Sequence, residues 1–328
     1  MPPSNASYDY VIVGGGTAGC VLANRLTRDS RNRVLLLEAG PEDRSPWIHL
    51  PIGYGKTMFH PVYNWGFYTD PDPGMDGRRI YWPRGRGLGG SSSINGLIYV
   101  RGQREDYDAW AAAGNRGWGW NDVLPYFVRS ESNSRGASAA HGADGPMACS
   151  DIGARHELID AIIAGAQQLG VRRTEDFNAG GQEGVGYYQL FTRKGLRCST
   201  ATGYLKPVRG RPNLDVQTDA RATRVVIEET RATAVEYVRD GTRRMAAARA
   251  EVILAAGALQ SPQLLQLSGI GPGELLRSFG IPVVRELPGV GENLQDHLQM
   301  RLLYRCTKKI TTNDDLNSWW RSARIGLQ

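Results

Sequence analysis

Three glycines and one acid carry the first chemistry visible in this chain of 328 residues. Residues 8–19, YDYVIVGGGTAG, run an apolar strand straight into Gly14, Gly16 and Gly19, and Glu38 follows the next apolar run, 34–37. In this spacing each glycine has its own task. Gly14 makes the tight turn out of the strand, Gly16 lets backbone approach a pyrophosphate, and Gly19 lets the helix pack closely on the strand. Thr17 and Ala18 sit between the glycines, at a helix start whose free N–H groups and partial positive charge suit phosphate. Glu38 stands about 20 residues further on, where a carboxylate accepts hydrogen bonds from ribose hydroxyls. The strand before the glycines, the amphipathic helix after them (Ala18, Val21, Leu22, Arg25, Leu26) and the placed acid separate this constellation from a bare glycine-rich turn.

A second block, 84–102 (RGRGLGGSSSINGLIYVRG), holds six glycines and three consecutive serines. Such a backbone can lie flat against a large planar ligand and donate N–H and O–H groups to its phosphates and ring edges. A third block, 257–271 (GALQSPQLLQLSGIG), is entered from the apolar run 252–255, so a second helix start points to the ligand side of a sheet. A fourth, 288–297 (PGVGENLQDH), adds turn glycines followed by Asn, Gln, Asp and His.

The elements that must position these blocks alternate at first. Strand, helix and strand up to Glu38 open a doubly wound sheet. Prolines and aromatics then dominate 41–90, a long excursion over the sheet, and Trp47, Tyr54, Trp65, Phe67 and Tyr68 favour an ordered one. Residues 133–145 (NSRGASAAHGADG) read as a flexible linker or lid. Asp151 is placed to cap a helix over 154–169 with Leu158, Ile159, Ile162, Ile163, Ala166 and Leu169 on one face. Residues 214–228, 233–239 and 251–255 read as strands, with Asp240-Gly241 turning the second into the third. Ser261 is the expected cap of the next helix, with Pro262 in its first position and Gly269 stopping it. A last helix, with Leu316, Trp319, Trp320, Ala323 and Leu327 on one face, runs to Gln328 without a stop signal, which predicts a chain cut inside an element.

Composition sets bounds. The length suits roughly two domains. The net charge of +6, from 39 basic and 33 acidic residues, is scattered rather than striped, which argues against nucleic-acid binding. No run approaches the ~18 apolar residues of a membrane span and no leader pattern precedes residue 8, so a cytoplasmic protein is expected, with peripheral attachment to a membrane left open. Cys20, Cys149, Cys198 and Cys306 form no C-x-x-C pair, and neither a metal site nor a redox dithiol is expected.

Together the four blocks resemble those of the glucose-methanol-choline (GMC) family of flavin-dependent alcohol oxidoreductases, its choline-dehydrogenase-like branch especially, from about Ser7 onward. RGRGLGGSSSING and GALQSPQLLQLSGIG look like the two hallmark segments, in the right order. The resemblance implies an α/β fold, a Rossmann-like FAD-binding doubly wound sheet with a discontinuous α+β substrate-binding layer, incomplete at its C-terminus. It implies an FAD-binding region over 7–300, with the nucleotide fold at 7–40 and a cofactor-covering segment at 41–130, and the start of a substrate-binding domain at 301–328. FAD would lie extended. Gly14, Gly16 and Gly19, with Thr17 and Ala18, would hold the pyrophosphate, and Glu38, with Ala39, the adenosine ribose. Gly90, Ser91 and the run Asn95, Gly96, Leu97 and Ile98 would border the flavin and its ribityl-phosphate arm, and Ala222 would touch adenine through its backbone.

The same resemblance implies oxidation of a small alcohol, choline-like or another primary alcohol, to a carbonyl by hydride transfer to the flavin, with oxygen or a quinone-like carrier as electron acceptor. Some members attach FAD through a histidine at the position that Ile94 fills here, so noncovalent FAD is expected. The family's catalytic histidine and its partner would fall beyond Gln328. No catalytic residue is therefore assigned among His49, His60, His141, His156 and His297, and the chain by itself is not expected to oxidise alcohols. Two alternatives stand: an FAD-binding fragment without turnover, and an NAD-dependent dehydrogenase, which would leave the second and third blocks without a ligand.

Overall fold

The computed structural model describes residues 6–314 apart from Ala154, Leu298, Arg301 and Thr312. The expected helix over 316–327 lies outside the described residues, as does most of 301–328.

The fold is mixed α/β around a six-stranded sheet. Strand β1 (Ala6–Val13) leads into helix α1 (Thr17–Leu26) and then β2 (Val34–Leu37). The end of β1, Val11–Val13, and all of β2 are apolar because both faces of the sheet are covered there. Side chains alternate: Ile12, Val34 and Leu36 pack with Cys20 and Ala23 of α1 and with Tyr204 and Leu205, while Val11, Val13, Leu35 and Leu37 pack with Val235, Tyr237 and Leu264 on the other face. Three of the strands that complete the sheet come late in the chain, β3 (Leu214–Gln217), β4 (Ala220–Glu228) and β5 (Arg231–Arg239), followed by the long β6 (Thr242–Leu254). The order is β3-β2-β1-β6-β5-β4, parallel from β3 to β6 and antiparallel from β6 to β4.

Residues 214–228 are therefore two strands, not the single one expected. Asp219, at φ +54, breaks them, and the amides of Asp219 and Ala220 bond to the carbonyls of Gly40 and Glu38. The apolar/polar alternation of the sequence runs on through the break, so periodicity does not reveal it, although Leu214 and Val216 pack on one face of the sheet and Ala220 and Ala222 on the other. The strand expected at 251–255 begins at Thr242, because its first half pairs with β5 across the Asp240-Gly241 turn. Both turn residues have positive φ, +50 and +69, as a two-residue hairpin of primed type requires.

Three further expectations are corrected. Helix α5 spans Gly257–Leu267 with Ala256 as its cap, so it starts ahead of Ser261, and Pro262 falls inside it; Gly269, at φ +85, does follow its end. The helix over 154–169 is α4 (Glu157–Gln168), capped by His156, whose ring accepts from the Leu158 amide at 3.2 Å. Asp151 instead pairs with Arg135 at 2.7 Å. Of the apolar face of α4, Ile163 is buried while Ile159 and Ile162 are exposed.

Residues 133–145 are a packed loop rather than a linker. Asn133 and His141 are buried beside the ion pair of Arg101 and Glu131, which meet at 2.7 Å. His141 Nδ1 lies 2.8 Å from Glu131 Oε1, and its Nε2 lies 2.8 Å from Asp176 Oδ2. This polar hub anchors the end of the second sequence block, because Arg101 closes it and Tyr99, whose hydroxyl accepts from Arg101 Nε, lies in it. The excursion over 41–90 is ordered, with the short helices α2 (Pro46–His49) and α3 (Tyr54–Thr57) and a ribbon pairing Phe67–Tyr68 with Tyr81–Trp82. Among the described residues the four cysteines are unpaired, no metal-ligand cluster occurs, and no helix is long and apolar enough to cross a membrane.

Candidate cofactor site

A cleft of about 890 Å3 opens at the C-terminal ends of β1, β2 and β6. That volume is near the top of the roughly 300–1,000 Å3 usual for small-molecule sites, room for an extended ligand. Two helices begin on its wall, α1 at Gly16 and α5 at Ala256, and neither start is capped by a side chain. Their first N–H groups have no intrahelical partner and, with the positive end of each helix dipole, form a setting for anionic oxygens.

The glycines divide their work by position. Gly14, at φ +106, turns out of β1 under the Ala255 carbonyl, where a methyl group would come within 2.5 Å of the oxygen. A methyl group on Gly19 would collide with the Gly14 carbonyl, so this residue lets α1 close on the turn. Gly16 differs from both. Its φ of −75 is open to any residue, and the nearest atoms to a methyl group there, in Ala255 and Gly90, lie 3.9 Å away. Nothing in the protein itself requires glycine at Gly16, and a side chain there would point into open space at the start of α1. The backbone of Gly90 approaches that of Gly16, so that a methyl group on Gly90 would fall 2.8 Å from the Gly16 Cα, and this brings the second block to the first.

Of the residues singled out in the sequence, Gly14, Gly16, Thr17, Ala18, Glu38, Ala39, Gly90, Ser91 and Ala222 line this one cleft. Gly19 supports it from behind. Asn95, Gly96, Leu97 and Ile98 do not line it; they continue from Ser91, with Asn95, Gly96 and Ile98 exposed and Leu97 buried at φ +62. Sequence reasoning missed Trp65, Phe67, Arg84 and Arg221, which also line the cleft. Trp65 and Phe67, on either side of Gly66 at φ +68, stack at 5.9 Å and 5°. Their place in an aromatic-rich segment, two residues apart, was the available signal. None of the five histidines lines the cleft.

Glu38 is buried, and its carboxylate accepts from the amides of Gly15 at 2.7 Å, Gly40 at 2.8 Å and Gly87 at 2.9 Å. It thus joins the first and second blocks, a link absent from their local spacing. Burial pushes its carboxyl up to about 7, although the three amides act in the opposite direction. In the cofactor-free protein the folded carboxyl stays protonated over a range in which the unfolded one, at its ordinary 4.5, ionises. Stability is therefore greatest below that ordinary value and falls as pH rises from there through the folded value. Glu38→Gln should remove this part of the slope. Urea titrations of the two proteins at both ends of the range check it, and parallel pH profiles would contradict it.

A profile of the GMC oxidoreductase family matches residues 8–299. The chain belongs to the GMC oxidoreductase family. It is 48% identical over 328 residues to the mitochondrial choline dehydrogenase of Mus musculus, covering 98% of this chain and 55% of that protein. It is 46% identical over 327 residues to the oxygen-dependent choline dehydrogenase of Burkholderia multivorans, covering 98% of this chain and 57% of that one. Among solved structures, pyridoxine 4-oxidase from Mesorbium loti superposes with a TM-score of 0.83 at 38% identity, over 86% of this chain and 55% of that one. The chain spans about half the length of the curated relatives it matches.

Proposed function

We propose that the protein acts in an FAD-dependent oxidation of the CH–OH group of a primary alcohol, choline or a choline-like compound, to a carbonyl. The observation that carries this reading is the cleft itself, where two uncapped helix starts meet a glycine whose side-chain space is left open for a ligand. Gly16, Thr17 and Ala18 would hold the diphosphate at the start of α1. Glu38 and Ala39 would serve the adenosine ribose, the Ala222 backbone the adenine, and Gly90, Ser91 and Asn95 to Ile98 the ribityl arm and the ring. When bound, FAD supplies the two-electron acceptor for the alcohol's hydride, and the protein supplies orientation and electrostatics. The hydroxyl proton goes to a base in the part of the relatives' length that this chain does not span. Residues 301–328 open the substrate-binding layer, and oxygen or a quinone-like carrier takes the electrons.

The FAD is held without a covalent bond, because Ile94 offers no nucleophilic nitrogen and is buried in the Gly-Ser segment. Acid precipitation of the holoprotein should release the yellow colour to the supernatant. Flavin retained in the pellet would sink the noncovalent reading.

A further inference from the structure

Two arginines are almost fully buried, and they differ in one respect. Arg101 has Glu131 at 2.7 Å. Arg197, only 3% exposed, pairs with no carboxylate among the described residues. Its Nε donates to the Ile48 carbonyl at 2.7 Å, and its Nη1 to the Ser92 carbonyl at 3.2 Å and to Asn95 Oδ1 at 2.8 Å. Its Nη2 is buried and meets no acceptor among the described residues. Burial alone pushes the guanidinium down to about 10, which still leaves it charged at neutral pH. A buried charge without a counter-charge is costly and persists where something in the working protein compensates it.

The position of that charge says what compensates it. Asn95 Oδ1 accepts from Arg197 and also from the Leu97 amide at 3.1 Å, which fixes the turn that holds Leu97 at positive φ. Both acceptor directions of Oδ1 are thus in use, and Asn95, itself exposed, is left with its Nδ2 donor to offer. A cation behind and a donor in front have the same sign of preference: both favour negative charge on whatever Asn95 borders.

We propose that Arg197 is an electrostatic positioning residue of the flavin site, whose uncompensated guanidinium, bonded to Asn95, favours negative charge on the ring beside the Asn95–Ile98 segment. This rests on the reading that the segment borders the flavin. Two-electron reduction adds such charge to the ring. So does sulfite, whose sulfur lone pair forms a bond to N5 of oxidised flavin while the displaced pair of the C4a=N5 bond becomes negative charge on the N1–C2 carbonyl side, with no further reactant.

The test compares FAD-loaded wild type, Arg197→Gln and Arg197→Lys by sulfite titration and by flavin midpoint potential. Removing the charge should raise the sulfite dissociation constant on the order of tenfold and lower the potential, while Arg197→Lys should stay within about threefold of wild type. A purely structural arginine would alter FAD retention and leave both readouts of the loaded protein in place, and that result would overturn the proposal. Where Arg197→Gln does not hold flavin, Asn95→Asp supplies an isosteric counter-charge against Nη1; a sulfite constant equal to wild type in that variant would overturn the proposal too. A wild-type protein that binds no FAD at all would instead remove the reading of the site on which the proposal rests.

Discussion

Gly16→Val should abolish FAD retention while leaving the cofactor-free fold in place. The backbone there is already in a conformation that valine adopts, and the space around a Cβ is open to 3.9 Å. The two added methyl groups therefore enter the cleft, over the start of α1, where the diphosphate would accept the free N–H groups of Thr17 and Ala18. Losing that approach should cost at least about 3 kcal/mol of binding, a hundredfold or more in dissociation constant. Glu38→Gln is milder: it keeps one acceptor oxygen and turns its NH2 toward a backbone N–H that the carboxyl now accepts, a difference on the order of 1–2 kcal/mol. Fluorescence titration with FAD ranks the two variants, and thermal melts of the cofactor-free proteins separate binding from folding. Equal dissociation constants, or a Gly16→Val protein that is unfolded without cofactor, would contradict the assignment of Gly16 to the ligand.

Glu131→Gln should cost about 3–5 kcal/mol of folding stability, because it leaves Arg101 buried and uncompensated. Both side chains of the pair are 1% exposed. Glu131 Oε1 also accepts from Asn133 at 2.7 Å and from the Cys149 thiol at 3.2 Å, in addition to His141. Burial works against its ionisation, yet the bonds from His141, Asn133 and Cys149 outweigh it and hold the carboxyl below its ordinary value. Such a group contributes stability that is present above the unfolded value and is lost as pH falls through the folded one. Denaturant titrations should thus show a large loss for Glu131→Gln at neutral pH and a smaller gap in strong acid. A loss under about 1 kcal/mol would mean that the hub is not a unit.

Much of the site was legible because it is local. The run from Tyr8 to Gly19 states strand, turn and helix within a dozen positions, and β2 betrays its burial by having no polar residue. The wall contributed by α5 followed from an apolar run ending in glycine at a helix start, whereas Ala222 was indicated only by the family resemblance. What the sequence hid is long-range. Glu38 reaches Gly87 across 49 positions, and no local spacing encodes that bond. The loop over 133–145 looked solvated because it is small and polar, but Asn133 and His141 are buried by satisfying one another's partners rather than by being apolar. Pro262 misled for a related reason: proline suits a first helical position, but the structure places it within α5, and the earlier start at Gly257 is set by the end of β6. Arg84 and Arg221 reach the cleft from segments more than a hundred residues apart, a convergence that no motif announces.

Titration of the deflavinated protein with FAD, with NAD as competitor, distinguishes an FAD site beside α1 and α5 from an NAD site. Saturable binding of one FAD per chain, quenching flavin fluorescence and undisturbed by excess NAD, is expected. Binding of NAD with no binding of FAD would contradict it.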